Sequence, residues 1–420
     1  MQQNRFSPLL LVTVVALSPL AVRAQEVEDT IRIKTRVVFL DALVKDKKTS
    51  APISNLTQEN FQVLDDGKPR PISYFTREGE ARKPLALVLI LDLREDGAGR
   101  FLKETEILKS MENELAKLPP GDEVAILAMN IGEDEQRVWL SEFTNDRAKV
   151  AEALKQVQAI CLKHEVRRAT ENTAQNTTDS DTQKTADNAA SKPKPKEVVS
   201  TEVNKGRNGA VVTRKTMSDG SVDVTRVSKN GKMNIELGEV YDMAAAVREA
   251  TRKAQELRPN SQMSLVWVSD GIAPIFFEDR DATQEIITRE NVIFNSLTVE
   301  LRTLFKFLLP VGKPIAGWMG MSLYGSAKQL AQRSGGEAVK VGRVKDYGAG
   351  LSRIIGNLTA RYSLGFTLAG NETDDGRLHH LEVRVKAPDE KGKKRKLQVS
   401  SRQGYYMTTT AAKDVRASAQ

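Results

Sequence analysis

Leu85-Ala86-Leu87-Val88-Leu89-Ile90-Leu91-Asp92 and Met263-Ser264-Leu265-Val266-Trp267-Val268-Ser269-Asp270-Gly271 decide the fold of this chain. Each is an apolar run that stops abruptly on an aspartate. A run without polar alternation reads as a strand buried on both faces, the habit of parallel sheets. In open parallel sheets, ligands gather beyond the carboxyl ends of the strands. Asp92 and Asp270, far apart in sequence, are therefore expected to converge on one ligand-type site.

Outward from these runs, strands and helices alternate. Strand 85–91 is followed by a helix near 100–117, with Phe101, Leu102, Ile107, Leu108, Met111 and Leu115 at helical spacing, and Pro119-Pro120-Gly121 stops it. Strands 123–129 and 137–140 and a helix near 146–160 come next. Helix 240–257 leads into strand 263–269. Strand 292–299, helix 322–333, strand 337–341 and helix 347–357 complete the set. Such alternation specifies an α/β, doubly wound, mostly parallel sheet over residues 84–358.

The two ends of the chain read differently. Residues 31–80 hold strand patterns at 35–44, 61–64 and 72–75, with a turn at Asp65-Asp66-Gly67-Lys68. Residues 359–407 hold three more, at 360–366, 378–385 and 397–400. Neither piece is long enough to bury a core alone. They are expected to pair into one β-sandwich framing the α/β domain. Residues 164–208 are rich in Thr, Asn, Asp, Lys and Ala, a composition that cannot offset chain entropy, so disorder is predicted there. A hairpin is predicted within 209–237, and residues 408–420 form a tail.

The chain has 420 residues, a formal net charge of +8 and one cysteine, Cys161, which excludes an internal disulfide. Arg5, the apolar stretch Leu9 to Val22 and Val22-Arg23-Ala24 before Gln25 read as an export signal over residues 1–24. The expectation is an exported protein, periplasmic, secreted or envelope-associated, with no membrane span after cleavage. The basic run Lys391 to Lys396 lacks interleaved aromatic residues and reads as a solvated hairpin tip, so no nucleic-acid partner is expected. Trp318 sits in a glycine-bearing loop that either contacts a partner or folds back on the sheet edge. The histidines are His164, His379 and His380. The last two are adjacent on a predicted strand and face opposite sides, a poor arrangement for joint metal binding. No catalytic constellation stands out.

The strand ending at Asp92, then Gly121-Asp122-Glu123-Val124-Ala125-Ile126, Phe143-Thr144-Asn145-Asp146-Arg147 and Val268-Ser269-Asp270-Gly271, resembles a von Willebrand factor type A domain. Leu56-Thr57-Gln58-Glu59-Asn60-Phe61, Asp65-Asp66-Gly67, Tyr362-Ser363-Leu364-Gly365 and Gly404-Tyr405-Tyr406 extend the likeness to the VWFA-related proteins exported by acidobacteria. The resemblance covers residues 33–407 apart from the insertion. It implies a protein-interaction module of adhesion or scaffold type, not an enzyme, with a protein partner.

Type A domains commonly hold Mg²⁺ at a metal-ion-dependent adhesion site. That site combines Asp-x-Ser-x-Ser after the first strand, a loop threonine and a later aspartate. Here the first element is Asp92-Leu93-Arg94-Glu95-Asp96, and Leu237-Gly238-Glu239 offers no threonine. Only Asp92 and Asp270 match the pattern. An arginine cannot ligate a cation and repels one. Two readings follow: a degenerate, cation-free site in which Arg94 acts as a tethered cation among Asp92, Asp96 and Asp270, or a carboxylate-rich Mg²⁺ site built from those aspartates. Rival functional readings are a divalent-metal hydrolase using the same carboxylates and a purely structural envelope component.

Overall fold

The computed structural model describes residues 36–77, 82–94, 97–131, 137–178, 197–206, 208–218, 222–231, 234–237, 243–299, 316–322, 325–369, 372, 374–388 and 395–407. The expected export signal at 1–24, Asp96, the loop 238–242, most of the basic run at 391–396 and the 408–420 tail lie outside them.

Every residue of the Leu85–Asp92 strand is buried, and its alternation sorts the two faces of the sheet. Leu85, Leu87, Leu89 and Leu91 join one apolar cluster; Ala86, Val88 and Ile90 join the other. Both faces must then be covered, and helices cover them. Thr105–Ala116, Arg147–Thr178 and Tyr347–Thr359 supply the first cluster through Met111, Val157 and Leu351 among others. Met243–Leu257 and Ser326–Ser334 supply the second through Val247 and Leu330. Cys161 is buried in the first cluster, and burial pushes its thiol up to about 12, away from reactivity.

The result is a mixed α/β protein with one six-stranded, mostly parallel sheet. Its order is Ala338–Val341, Ile293–Val299, Gln262–Ser269, Leu85–Asp92, Glu123–Met129, Arg137–Thr144. Five strands run parallel and Arg137–Thr144 runs antiparallel at the edge. Numbered along the chain, the order is 3-2-1-4-5-6 across the sheet. The order reverses between strands one and four, Leu85–Asp92 and Gln262–Ser269, so a crevice is expected beyond their ends.

A helix at Phe277–Arg289 escaped the sequence reading. Its buried positions are Glu278, Asp279, Thr283, Gln284, Ile287 and Thr288, so Ile287 is the one apolar side chain among them and no apolar stripe marks the helix. What it meets explains this polarity. Val198–Lys205, Val211–Met217, Val222–Val227 and Asn234–Leu237 form a four-stranded antiparallel sheet beside it. Arg214 pairs with Asp279, Arg226 with Glu278 at 3.1 Å, and Arg248 with Asp279 and Glu202.

This corrects the expectation of disorder over 164–208 at its two ends only. The Arg147–Thr178 helix runs through its start, and Val198–Lys205 is a strand near its end; residues 179–196 are not described. Composition failed because it counts apolar surface alone. Here ladder hydrogen bonds to Val211–Met217 and charge pairing through Glu202 hold the segment.

Two further four-stranded sheets use both chain ends. Leu397–Ser401, Arg36–Asp46, Tyr362–Leu368 and Tyr74–Thr76 form one; Gly404–Tyr406, Leu378–Val385, Phe61–Asp65 and Lys68–Arg70 form the other. Val38 and Leu40 in the first and Phe61 and Val63 in the second belong to one apolar cluster with Tyr362, Phe366, Leu381 and Tyr405. Since Tyr362–Leu368, Leu378–Val385 and Leu397–Ser401 each pair with an N-terminal strand and only Gly404–Tyr406 pairs within the C-terminal piece, an isolated 360–407 segment is expected to show collapsed amide dispersion and no protection from hydrogen exchange. Dispersed, protected amides in that segment would contradict the dependence.

Candidate functional site

Asp92 and Asp270 stand at the carboxyl ends of adjacent parallel strands, at the point where strand order reverses. Asp92 is fixed from three sides. Its Oδ1 accepts the Arg94 backbone N–H at 3.2 Å and the Asn130 amide at 2.7 Å. Its Oδ2 accepts the Ser269 hydroxyl at 2.8 Å. Asn130 ends the neighbouring Glu123–Met129 strand with φ 59°, a left-handed turn that asparagine tolerates better than most residues.

Asp270 caps a tight turn. Its Oδ1 accepts the Ile272 N–H at 3.0 Å across Gly271, whose φ of 91° favours glycine. Arg94 reaches back over both carboxylates. Its Nη2 lies 2.7 Å from Asp270 Oδ1 and 3.9 Å from Asp92 Oδ2. A Cβ on Gly97 would fall 2.6 Å from that same Nη2, so a side chain at 97 would require the guanidinium to shift. The Tyr347 hydroxyl, from the Tyr347–Thr359 helix, donates to the Ser269 carbonyl at 3.3 Å.

The whole group is shut away from solvent: Asp92 is 2% exposed, Arg94 6% and Asp270 5%. Burial raises the Asp92 carboxyl above its ordinary value; the Arg94 charge and the bonds from Asn130 and Ser269 oppose that, while the Asp270 charge adds to it. Tyr347 is pushed up by burial and by the same two carboxylates. A divalent cation here would have to compete with the Arg94 guanidinium. The oxygens it needs are present in Asp92, Ser269 and Asp270, but a guanidinium nitrogen already lies 2.7 Å from Asp270 Oδ1. What the group does chemically is compensate buried charge, with Ser269 wholly buried beneath it.

Ser269, Asn130, Tyr347 and Gly97 were not singled out from sequence. Asn130 carried the same signal as Asp92, a polar residue directly after an apolar strand. Tyr347 carried none. Trp318 lies at the surface, 76% exposed. His379 is buried and His380 exposed, on opposite faces of their strand.

No protein-family profile matches the chain, and no curated protein matches it. Solved structures do match. The VWA domain of SpRpn10 aligns with TM-score 0.30 and 9% identity over 65% of this chain and 94% of its own. The pilus adhesin SpaC from Lactobacillus rhamnosus GG, in its open conformation, aligns with TM-score 0.33 and 8% identity over 86% of this chain. Proximal thread matrix protein 1 from the mussel byssus aligns with TM-score 0.30 and 7% identity over 68% of it. The alignment spans about half of each of the latter two, 48% in both cases. Among the described residues, no helix is long and apolar enough to cross a membrane.

Proposed function

We propose that the chain is an exported protein-interaction module of the VWFA-related kind, with a type A-like domain framed by a sandwich of its terminal strands. In this reading Arg94 stands where a divalent cation sits in metal-bearing type A domains. Partner binding then does not run through a bridging metal, and the chain binds without catalysing a reaction. The strand order and the placing of Asp92 and Asp270 at its reversal support the type A reading. The observation that carries the cation-free reading is the 2.7 Å contact between Arg94 Nη2 and Asp270 Oδ1.

Calorimetry tests it. Titrating Mg²⁺ or Mn²⁺ into the wild-type chain at millimolar concentration is expected to give no stoichiometric heat, and the melting temperature is expected not to move. One equivalent of Mg²⁺ bound, and lost on Asp270→Asn, would overturn the reading and restore a working adhesion site. Binding of an envelope-fraction partner should likewise be equal in chelator and in Mg²⁺.

A further inference from the structure

A second polar cluster lies in the terminal sheets. Asp65 and Asp66 form the turn after the Phe61–Asp65 strand, and His379 lies on the paired Leu378–Val385 strand. One ligand atom from each of the three lies within 4.8 Å of the others. Asp65 is 4% exposed and His379 3%.

Each of the three has its other polar atom held. Asp65 Oδ2 accepts from Arg70 Nε at 3.0 Å, Arg70 Nη2 at 2.8 Å and the Tyr405 hydroxyl at 3.1 Å. Asp66 Oδ1 accepts the His380 N–H at 2.9 Å. His379 Nε2 meets Asp375 Oδ1 at 3.2 Å, and its ring stacks on Tyr405 with centroids 5.0 Å apart. The remaining atoms point together: Asp65 Oδ1, Asp66 Oδ2 and His379 Nδ1. Nδ1 lies 3.1 Å from Asp66 Oδ2 and 3.9 Å from Asp65 Oδ1. Asp65 Oδ1 is buried and, among the described residues, accepts no hydrogen bond.

We propose that Asp65 Oδ1, Asp66 Oδ2 and His379 Nδ1 form a site for a divalent transition-metal ion, with Zn²⁺ the best fit. A neutral imidazole has one N–H. With that proton on Nε2 and directed at Asp375, Nδ1 aims a lone pair at two carboxylates. A second proton would answer Asp66 but leave Asp65 Oδ1 unanswered at 3.9 Å. A cation answers all three. Bonds of about 2.1 Å place tetrahedral ligands roughly 3.4 Å apart, between the two separations observed. A ligating histidine whose far nitrogen donates to a carboxylate is the usual outer-shell arrangement of such sites. Nitrogen in the ligand set favours zinc-type ions over Mg²⁺ or Ca²⁺. Arg377 Nη1 lies 2.9 Å from Asp66 Oδ2 and its Nε 2.6 Å from Asp375 Oδ2; the side chain is 56% exposed, so Nη1 can release Asp66 as the ion enters while Nε keeps Asp375.

Zn²⁺ titration of the full chain by calorimetry, with Co²⁺ absorption as the spectroscopic signature, tests the site. One equivalent should bind. Asp66→Asn should abolish it, and Asp375→Asn should weaken it about 10–100-fold through the loss of histidine orientation. Arg377→Gln should tighten binding, since it removes the competitor for Asp66. No saturable Zn²⁺ uptake by the wild type would overturn the proposal. So would uptake unchanged in Asp66→Asn, which would put the ion elsewhere. Urea midpoints of all three variants confirm that each is folded.

Discussion

Asp279→Ala is expected to cost about 3–5 kcal/mol of folding stability, the range for breaking a buried ion pair by removing one partner. Asp279 is 2% exposed and serves two guanidiniums, Arg214 and Arg248, which are themselves buried. Arg248 is further committed to this helix: its Nη2 donates to the Asp279 carbonyl and its Nε to the Thr283 hydroxyl, both at 3.0 Å. Taking away the carboxylate leaves two positive charges close together in a low-dielectric setting, with their shared counter-charge gone. Glu202 still faces Arg248 but is only partly buried. The loss should be visible as a lower urea midpoint. It should also be local, with hydrogen exchange rising first in residues 211–227, the strands that Arg214 and Arg226 tie to the helix. A loss below about 1 kcal/mol would mean that water reaches the cluster and shares its charge.

Arg94→Met is the second large effect. Methionine keeps most of the side-chain stem and removes the charge, so Asp92 and Asp270 lose the cation that lies between them. Truncating a buried pair in this way again costs about 3–5 kcal/mol. The deficit should depend on pH in a definite direction. Burial already raises the Asp92 carboxyl, and the Arg94 charge is the first influence opposing that rise. Without Arg94 the carboxyl rises further. The folded variant then holds its proton at a pH where the unfolded chain has released it. Stability falls as pH climbs from the ordinary carboxylate range up through the raised value, and levels off above it. The gap between variant and wild type should therefore narrow in acid and be widest near neutrality. Thermal melts across pH 4 to 8, roughly spanning that window, would show it. A gap independent of pH would mean that Arg94 acts through packing, not charge. Arg94→Ser serves as the companion: its smaller side chain leaves room for water or Mg²⁺ between the carboxylates, so millimolar Mg²⁺ is expected to restore part of its melting temperature.

The inner strands of the central sheet were legible because each is an apolar run, whereas the edge strand Arg137–Thr144, which mixes polar residues and is only half-buried, was read no further than 140. The Glu123–Met129 strand was readable to the residue. The Phe277–Arg289 helix was not, because its inner face answers arginines and not leucines, and the periodicity that marks a helix is a periodicity of apolar residues. The strand Val198–Lys205 was hidden for a related reason: it lies in a segment judged by composition, and its pairing with Val211–Met217 is not a property of composition. Asp92 and Asp270 could be read as one site because each terminates a strand. Ser269, which touches both, was passed over in the same stretch. His379 and His380 were weighed only against each other. That they face opposite sides was readable; that His379 meets a turn more than 300 positions upstream is set by the pairing of Phe61–Asp65 with Leu378–Val385, which no local pattern encodes.

The position of Arg36–Asp46 bears on how the chain is made. Its neighbours, Tyr362–Leu368 and Leu397–Ser401, leave the ribosome only after the whole α/β domain has been made. Until then this strand has most of its ladder groups unmet, apart from the local bridge of Lys45 with Pro52, and an apolar row of Val38, Leu40, Ala42 and Val44 uncovered. A bare strand edge of that kind pairs readily with other chains. Chains that stop short of residue 360 never acquire its partners, so premature termination anywhere in the α/β domain should yield aggregates seeded from the first strand, however well the domain itself has folded.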